Sequence, residues 1–308
     1  MKKVEPIIRI QNLNKTIKGK HIIKNINLDF YPGQITGFLG PNGAGKTTTI
    51  RMLTGLMYPT SGDVIIDGVS LASDYESAMK NVGVIVENPE MYKFMSGYKN
   101  LLHFARMHDN VTKERIDEVV RQVGLEKRIH EKVGTYSLGM RQRLGLAQAM
   151  LHRPKFLLLD EPTNGLDPAG IREYRSYLRK IAREENISIV ISSHLLAEME
   201  LICDRIAVIK NGEIIDIREV GAMNEAPVYV LEATPQDTVG TALTNLSVPY
   251  TLQEDKFMLE IDREQVPTVV TRVASEAQLF AIYPQQETLE DQFIALTGAG
   301  GAIDEIRS

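Results

Sequence analysis

Gly40-Pro41-Asn42-Gly43-Ala44-Gly45-Lys46-Thr47 fits the pattern G-x-x-x-x-G-K-[ST], and its reading decides the fold. The preceding run, Gln34 to Leu39, reads as a buried strand, and the following run, Thr48 to Leu53, reads as a helix. A strand, a glycine-rich loop and a helix in that order predict an α/β fold with a phosphate cradle at the loop. Three glycines let backbone N–H groups turn inward around a phosphate, and the helix N-terminus adds the positive end of its dipole. Lys46 supplies a mobile positive charge for β- and γ-phosphates, and Thr47 a hydroxyl ligand for Mg²⁺. The candidate nucleotide-binding residues are therefore Gly40, Pro41, Asn42, Gly43, Ala44, Gly45, Lys46, Thr47 and Thr48.

A chain of 308 residues suggests two domains, and 43% hydrophobic with 24% charged residues is ordinary for a globular protein. The net charge of −5 gives no basic footprint for nucleic acid. Cys203 is the only cysteine, which excludes an intramolecular disulfide and fits a reducing compartment. The start of the chain, Met1 to Pro6, lacks the apolar core of a secretion signal. No apolar run approaches the ~18 residues of a membrane span, so a transmembrane role is expected to come through a separate subunit.

Outward from the loop, the region up to about Leu28 alternates apolar and polar residues around turns such as Lys18-Gly19-Lys20, as half-buried antiparallel strands do. Further strands are expected near Val64 to Ile66 and from Asn81 to Val86. Tyr98 to Gly124 shows helical spacing and reads as part of a helical insert. Phe156 to Leu159 is a continuous apolar strand. A helix is expected from Pro168 to about Glu185, then a β-branched strand from Ile187 to Ile191. Asn211-Gly212 between two short runs is a hairpin signal. Beyond a linker at Ala222 to Pro227, short strands alternate with helices near Thr238 to Leu246, Arg263 to Ala274 and Thr288 to Leu296, which reads as a small α+β unit.

Two further stretches carry chemistry. Asp160-Glu161 ends the apolar strand, whose exit can set both acids beside the phosphate loop. Asp160 would then hold Mg²⁺ and Glu161 would act as general base on the attacking water. Thr135 to Arg143 opens a helix with Ser137 as a good N-cap, and Gly139 keeps bulk away from a helix tip that can dock on a phosphate.

Taken together, the phosphate loop, Ser-x-Gly at 137 to 139, the apolar run into Asp160-Glu161, Asn164-Gly165-Leu166-Asp167 and Ser193-His194 resemble an ATP-binding cassette (ABC) ATPase over about residues 4 to 220. The resemblance implies a P-loop NTPase cassette: a RecA-like core with an antiparallel β subdomain and a helical subdomain at about 88–152. It implies a cassette over 1–222 and a C-terminal accessory α+β domain over 223–308. It also implies ATP and Mg²⁺ as ligands, a homodimer of ATPase copies, a separate transmembrane permease, no nucleic acid partner, and a place on the cytoplasmic face of the membrane. Residue by residue, Ser137, Leu138, Gly139 and Met140 match the signature that contacts ATP held by another copy. Asn164, Gly165, Leu166 and Asp167 match the D-loop, and His194 the switch histidine beside the catalytic Glu161. Thr47, Glu87 and Asp160 match the metal-side positions.

Three departures stand out. Glu87 replaces the Q-loop glutamine and offers a full charge to a hard cation. In the signature, Leu138 replaces a glycine and Met140 a glutamine. Ile17 stands where an aromatic ring normally stacks on adenine, so GTP is a possible second nucleotide. Glu87 with Tyr136-Ser137-Leu138-Gly139-Met140 looks like the ATPases of bacitracin-resistance and lantibiotic-immunity exporters, whose partners are ABC-2 type membrane subunits. A soluble ABC ATPase of the cofactor-assembly or translation type is the alternative, and an importer ATPase a third reading. The segment around Glu87 to Tyr98, apolar at Pro89, Met91, Tyr92, Phe94 and Met95, is the expected contact for the membrane partner, and a loop that caps its own core is the alternative there.

Overall fold

The structure is a computed structural model and describes residues 4–86, 89–193, 196–220, 228–253 and 255–284. The chain divides into two compact units, Met1–Val220 and Gly221–Ser308.

In the first unit the strands are β1 (Ile8–Ile17), β2 (Lys20–Phe30), β3 (Ile35–Leu39), β4 (Ser61–Ile66), β5 (Val69–Ser70), β6 (Val82–Ile85), β7 (Phe156–Asp160), β8 (Ser188–Ser193), β9 (Arg205–Lys210) and β10 (Glu213–Glu219). The helices are α1 (Lys46–Leu53), α2 (Tyr75–Met79), α3 (Gly97–Ala105), α4 (Lys113–Gln122), α5 (Leu138–Met150), α6 (Pro168–Glu184) and α7 (Leu196–Ile202). A six-stranded sheet runs β10-β9-β3-β8-β7-β6, parallel from β9 to β6, with β10 antiparallel at one edge. Every residue of β3, β7 and β8 is buried, as expected for parallel strands covered on both faces. This explains why their sequences read as apolar runs and not as alternations. The second sheet, β2-β1-β4-β5, is antiparallel, and its Ile8, Leu13, Ile26 and Ile66 join Phe38, Ile50 and Phe156 in one core.

Asp167 caps α6 by accepting the Gly170 N–H at 2.9 Å, and Pro168 takes the first helical position, where a missing N–H costs nothing. Tyr174, Leu178, Ile181 and Ala182 then form its buried stripe. The expected helix at Tyr98 to Gly124 is two helices, α3 and α4, because the polar residues His108, Asp109 and Asn110 interrupt the apolar spacing. In the same helical region Arg115 is buried, and its guanidinium donates to the Met150 and Leu151 carbonyls at 2.6 and 3.3 Å, satisfying the end of α5. Residues 93–98 lie antiparallel to 129–134. Gly134 N–H donates to Lys93 O and Val133 N–H to Met95 O, each at 2.9 Å. Gly97 N–H donates to Glu131 O at 3.2 Å and Tyr98 N–H to Ile129 O at 2.8 Å.

The second unit contains β11 (Val228–Thr234), α8 (Gln236–Asn245), β12 (Tyr250–Gln253), β13 (Lys256–Glu260), α9 (Val266–Glu276) and β14 (Gln278–Pro284). Its antiparallel sheet has the order β12-β13-β11-β14. A βαββαβ chain with that strand order is the split βαβ, or ferredoxin-like, arrangement. Leu231, Val239, Leu243, Phe257, Leu259, Val269 and Val273 form its core. The helix expected at Thr288 to Leu296 lies outside the described residues.

Candidate functional site

The glycine-rich loop joins the buried end of β3 to α1. Gly45 closes it with φ 114°, a left-handed backbone that a side chain rarely adopts, and a Cβ there would fall 2.6 Å from Ile23 Cδ1. Gly40 is confined differently: a Cβ would lie 2.4 Å from the Ile209 carbonyl. Both positions thus require a residue without a side chain, and the loop stays bare on its inner wall. Pro41, Asn42, Gly43 and Thr47 are exposed, Thr48 is half-buried, and Ala44 and Lys46 are buried. Gly40→Ala is expected to force the loop off Ile209, with a stability cost of about 1–3 kcal/mol. The larger effect is loss of the melting shift that ATP gives the native chain, measured by thermal unfolding with and without nucleotide.

The Lys46 ammonium donates to Gly40 O at 2.5 Å and lies 3.3 Å from Pro41 O. Burial pushes its pKa below the ordinary lysine value, while the charges of Glu161 and then Asp160 pull it back up. Those two carboxylates therefore act on Lys46, and α1 packs against β7 although β8 lies between β3 and β7 in the sheet. Asp160 is buried, and its Oδ1 accepts the Ser192 hydroxyl proton. Glu161 is half-buried with φ 47°, and its N–H donates to Ser192 O at 3.1 Å and Ser192 Oγ at 3.2 Å.

Ser137 is exposed and caps α5, its Oγ accepting the Met140 N–H at 3.3 Å. Arg141 reaches back to Tyr136 O at 2.6 Å, and the buried Tyr136 hydroxyl donates to Arg128 O at 2.7 Å. Leu138 and Gly139 are half-buried against the D-loop match. A Cβ on Gly165 would lie 3.0 Å from Leu138 Cδ2, and one on Gly139 3.7 Å from Leu166 Cδ2. Met140 is turned into the helical core, while Asn164, Gly165 and Asp167 are exposed. The structure thus brings two sets of residues together: the loop with Asp160 and Glu161, and the start of α5 with Gly165 and Leu166. Glu87 and His194 lie outside the described residues. Ile17 is 38% exposed at the end of β1, so it offers an aliphatic and not an aromatic surface.

Sequence reasoning missed Ser192, Thr163 and Glu198. Thr163 Oγ1 donates to Glu198 Oε2 at 2.5 Å, bonding the segment after Glu161 to the first turn of α7. The serine pair before His194 was the available signal for Ser192, but its partners Asp160 and Glu161 lie 32 and 31 residues away and nothing local marks them.

Comparisons with known proteins agree with this geometry. The ABC transporter family profile matches residues 23–164. The uncharacterized ABC transporter ATP-binding protein YhcH of Bacillus subtilis is 49% identical over 298 residues, covering 96% of this chain and 97% of that protein. The bacitracin transport ATP-binding protein BcrA of Bacillus licheniformis is 36% identical, covering 96% and 98%. Among solved structures, cbiO1 from Clostridium perfringens, part of the ABC transporter complex cbiONQ, is 25% identical. It superposes with a TM-score of 0.66 over 79% of this chain and 96% of its own. A bare phosphate cradle facing a lysine and two acids, in a chain that matches such relatives from end to end, leads to one conclusion: this protein belongs to the ATP-binding subunits of ABC transporters and is an ATPase of that family.

Proposed function

We propose that the chain is the ATP-hydrolysing motor of an exporter, acting as two copies around two ATP molecules and driving a separate membrane permease. The observation that carries this reading is the packing of α1, which begins at Lys46, against β7, which ends at Asp160, so that Glu161 and Asp160 act on the Lys46 ammonium. The bare walls at Gly40 and Gly45 and the exposed amide-rich turn fit a triphosphate. The donor set of Thr47 and Asp160, both oxygen ligands, fits Mg²⁺, and Glu87 is the third metal-side residue by its place in the sequence. When bound, Mg²⁺ neutralises part of the phosphate charge and steadies the β- and γ-oxygens.

In this reading Lys46 exchanges its bonds to Gly40 O and Pro41 O for phosphate oxygens. Glu161 accepts a proton from the water that attacks the γ-phosphorus. The bond from that phosphorus to the β–γ bridging oxygen breaks, leaving ADP and inorganic phosphate. His194 contacts the γ-phosphate beside Glu161. Ser137, Leu138, Gly139 and Met140 of a second copy present the tip of α5 to the same phosphate. The exposure of Ser137 and the positive end of α5 support that role. Asn164 to Asp167 line the seam between copies. Release of phosphate removes the attraction and the copies part, so closure is a population shift driven by differential affinity.

Among the described residues no helix is long and apolar enough to cross a membrane, so a permease must be a separate protein on this reading. The exposed rings of Tyr92 (43%) and Phe94 (69%), 5.8 Å apart between centroids, support the stretch Pro89 to Met95 as its contact. The cargo is an amphiphilic peptide antibiotic or a similar molecule, supported by the likeness to the bacitracin transport protein. The chain then works on the cytoplasmic face of the membrane.

Tagged protein from cross-linked membranes is expected to retain an integral subunit, and Phe94→Asp is expected to reduce that recovery about tenfold, as loss of an aromatic anchor does. Deletion of the chain should raise sensitivity to cell-wall-directed peptides. A chain that stays in the supernatant with no membrane partner would overturn the transport reading.

A further inference from the structure

Ser192 is fully buried at the end of β8 and touches both acids through different groups. Its hydroxyl donates its one hydrogen bond to Asp160 Oδ1, which leaves a lone pair on Oγ to accept the Glu161 N–H at 3.2 Å. The Ser192 carbonyl accepts the same N–H at 3.1 Å. Glu161 needs such support. Its φ of 47° is a conformation that non-glycine residues keep only where the surroundings impose it, and such residues cluster at working sites. Two residues further, Thr163 Oγ1 is bonded to Glu198 Oε2, so the strand end and the helix that follows it grip the turn on both sides of Pro162.

We propose that Ser192 is a positioning residue for ATP hydrolysis. By occupying Asp160 Oδ1 it fixes which carboxylate oxygen faces the metal side, and by accepting the Glu161 N–H it fixes the turn that aims the base. Thr163 and Glu198 complete the brace from the other side. The inference rests on the roles given to Asp160 and Glu161 above. It assigns Ser192 no contact with the nucleotide, so its loss acts through the two acids, as loss of a residue behind metal ligands does.

The test uses the full chain with Ser192→Ala, which removes one oxygen from a buried position. Three measurements are made: kcat and KM for ATP, the Mg²⁺ midpoint for binding of a trinitrophenyl-ATP probe without turnover, and the melting temperature without nucleotide. The expected result is a fall in kcat of about 10–100-fold, an unchanged KM, a Mg²⁺ midpoint raised severalfold and a melting temperature lowered by only a few degrees, so that the chain stays folded under the assay. Ser192→Thr, which restores the hydroxyl, should recover both kcat and the midpoint. If Ser192→Ala does not fold, Thr163→Val takes its place, with a lowered kcat and an unmoved Mg²⁺ midpoint expected. Wild-type kcat and midpoint in Ser192→Ala, or a kcat lowered only in proportion to the folded fraction, would overturn the proposal. Failure of the underlying reading looks different: Glu161→Gln would then still hydrolyse ATP, and Asp160→Asn would leave the Mg²⁺ midpoint where it was.

Discussion

Glu161→Gln is expected to lower ATP turnover by about 10²–10⁴-fold, the contribution of a positioned general base. Glutamine has nearly the shape of glutamate and keeps the backbone bonds of residue 161 to Ser192, so the turn at φ 47° survives the change. Its amide cannot take a proton from water. The glycine-rich loop, Lys46 and Asp160 are untouched, so ATP still binds. With hydrolysis blocked, the triphosphate stays between the copies, and the variant should elute as a dimer with Mg²⁺ and ATP and as a monomer without them. Sizing chromatography and phosphate release check the two halves of the prediction separately. Near-normal phosphate release would remove Glu161 from the role of base.

Ser137→Arg is expected to abolish ATP-dependent pairing and cut turnover to about a hundredth, in the range found when one preorganised donor to a developing charge is removed. Three effects act together. The cap on α5 is lost at a cost of about 1 kcal/mol, because no oxygen remains to accept the Met140 N–H. A cation is placed at the positive end of a helix, which adds roughly 0.3–1 kcal/mol of repulsion. Bulk then fills the exposed tip where a phosphate of the other copy would dock. Monomer binding of the nucleotide probe should be unchanged, since among the described residues Ser137 is bonded along its own helix, to Met140 and Arg141. Dimerisation at the native ATP concentration would contradict the assignment. Mixing this variant with Glu161→Gln sharpens the test, because a mixed pair keeps one intact tip.

The elements that sequence reading captured are those in which local chemistry and tertiary demand coincide. Asp167-Pro168 sets a favoured N-cap before a favoured first helical residue, and the apolar run Phe156 to Leu159, too short for a helix of its own, suits a strand covered on both faces. The phosphate loop was legible because glycines are needed where the backbone meets Ile209 and turns left-handed at 45. Long-range relations were not legible in the same way. Arg115 looks like a surface charge on a helix, and only the meeting of α4 with the end of α5 turns it into a cap for two carbonyls. The edge strand Tyr250–Gln253 exposes all four residues, and the alternation of Tyr250 and Leu252 with Thr251 and Gln253 is too short to mark a strand by itself. Order in the C-terminal sheet depends on which strands pair, and that is decided by closure of the core around Leu231, Phe257 and Leu259 and not by any single segment. Glu87 and His194, both legible by motif, are residues on which the described structure is silent.

The pairing of residues 93–98 with 129–134 has a mechanical consequence. Four main-chain bonds join these short segments, and they end two residues before Tyr136, whose hydroxyl is anchored on Arg128 O and whose carbonyl is held by Arg141 of α5. To shift Phe94 without shifting Ser137, all four would have to shear at once. The two segments are thereby tied to one another as a crank is to its shaft, with little slack between residues 93–98 and the start of α5.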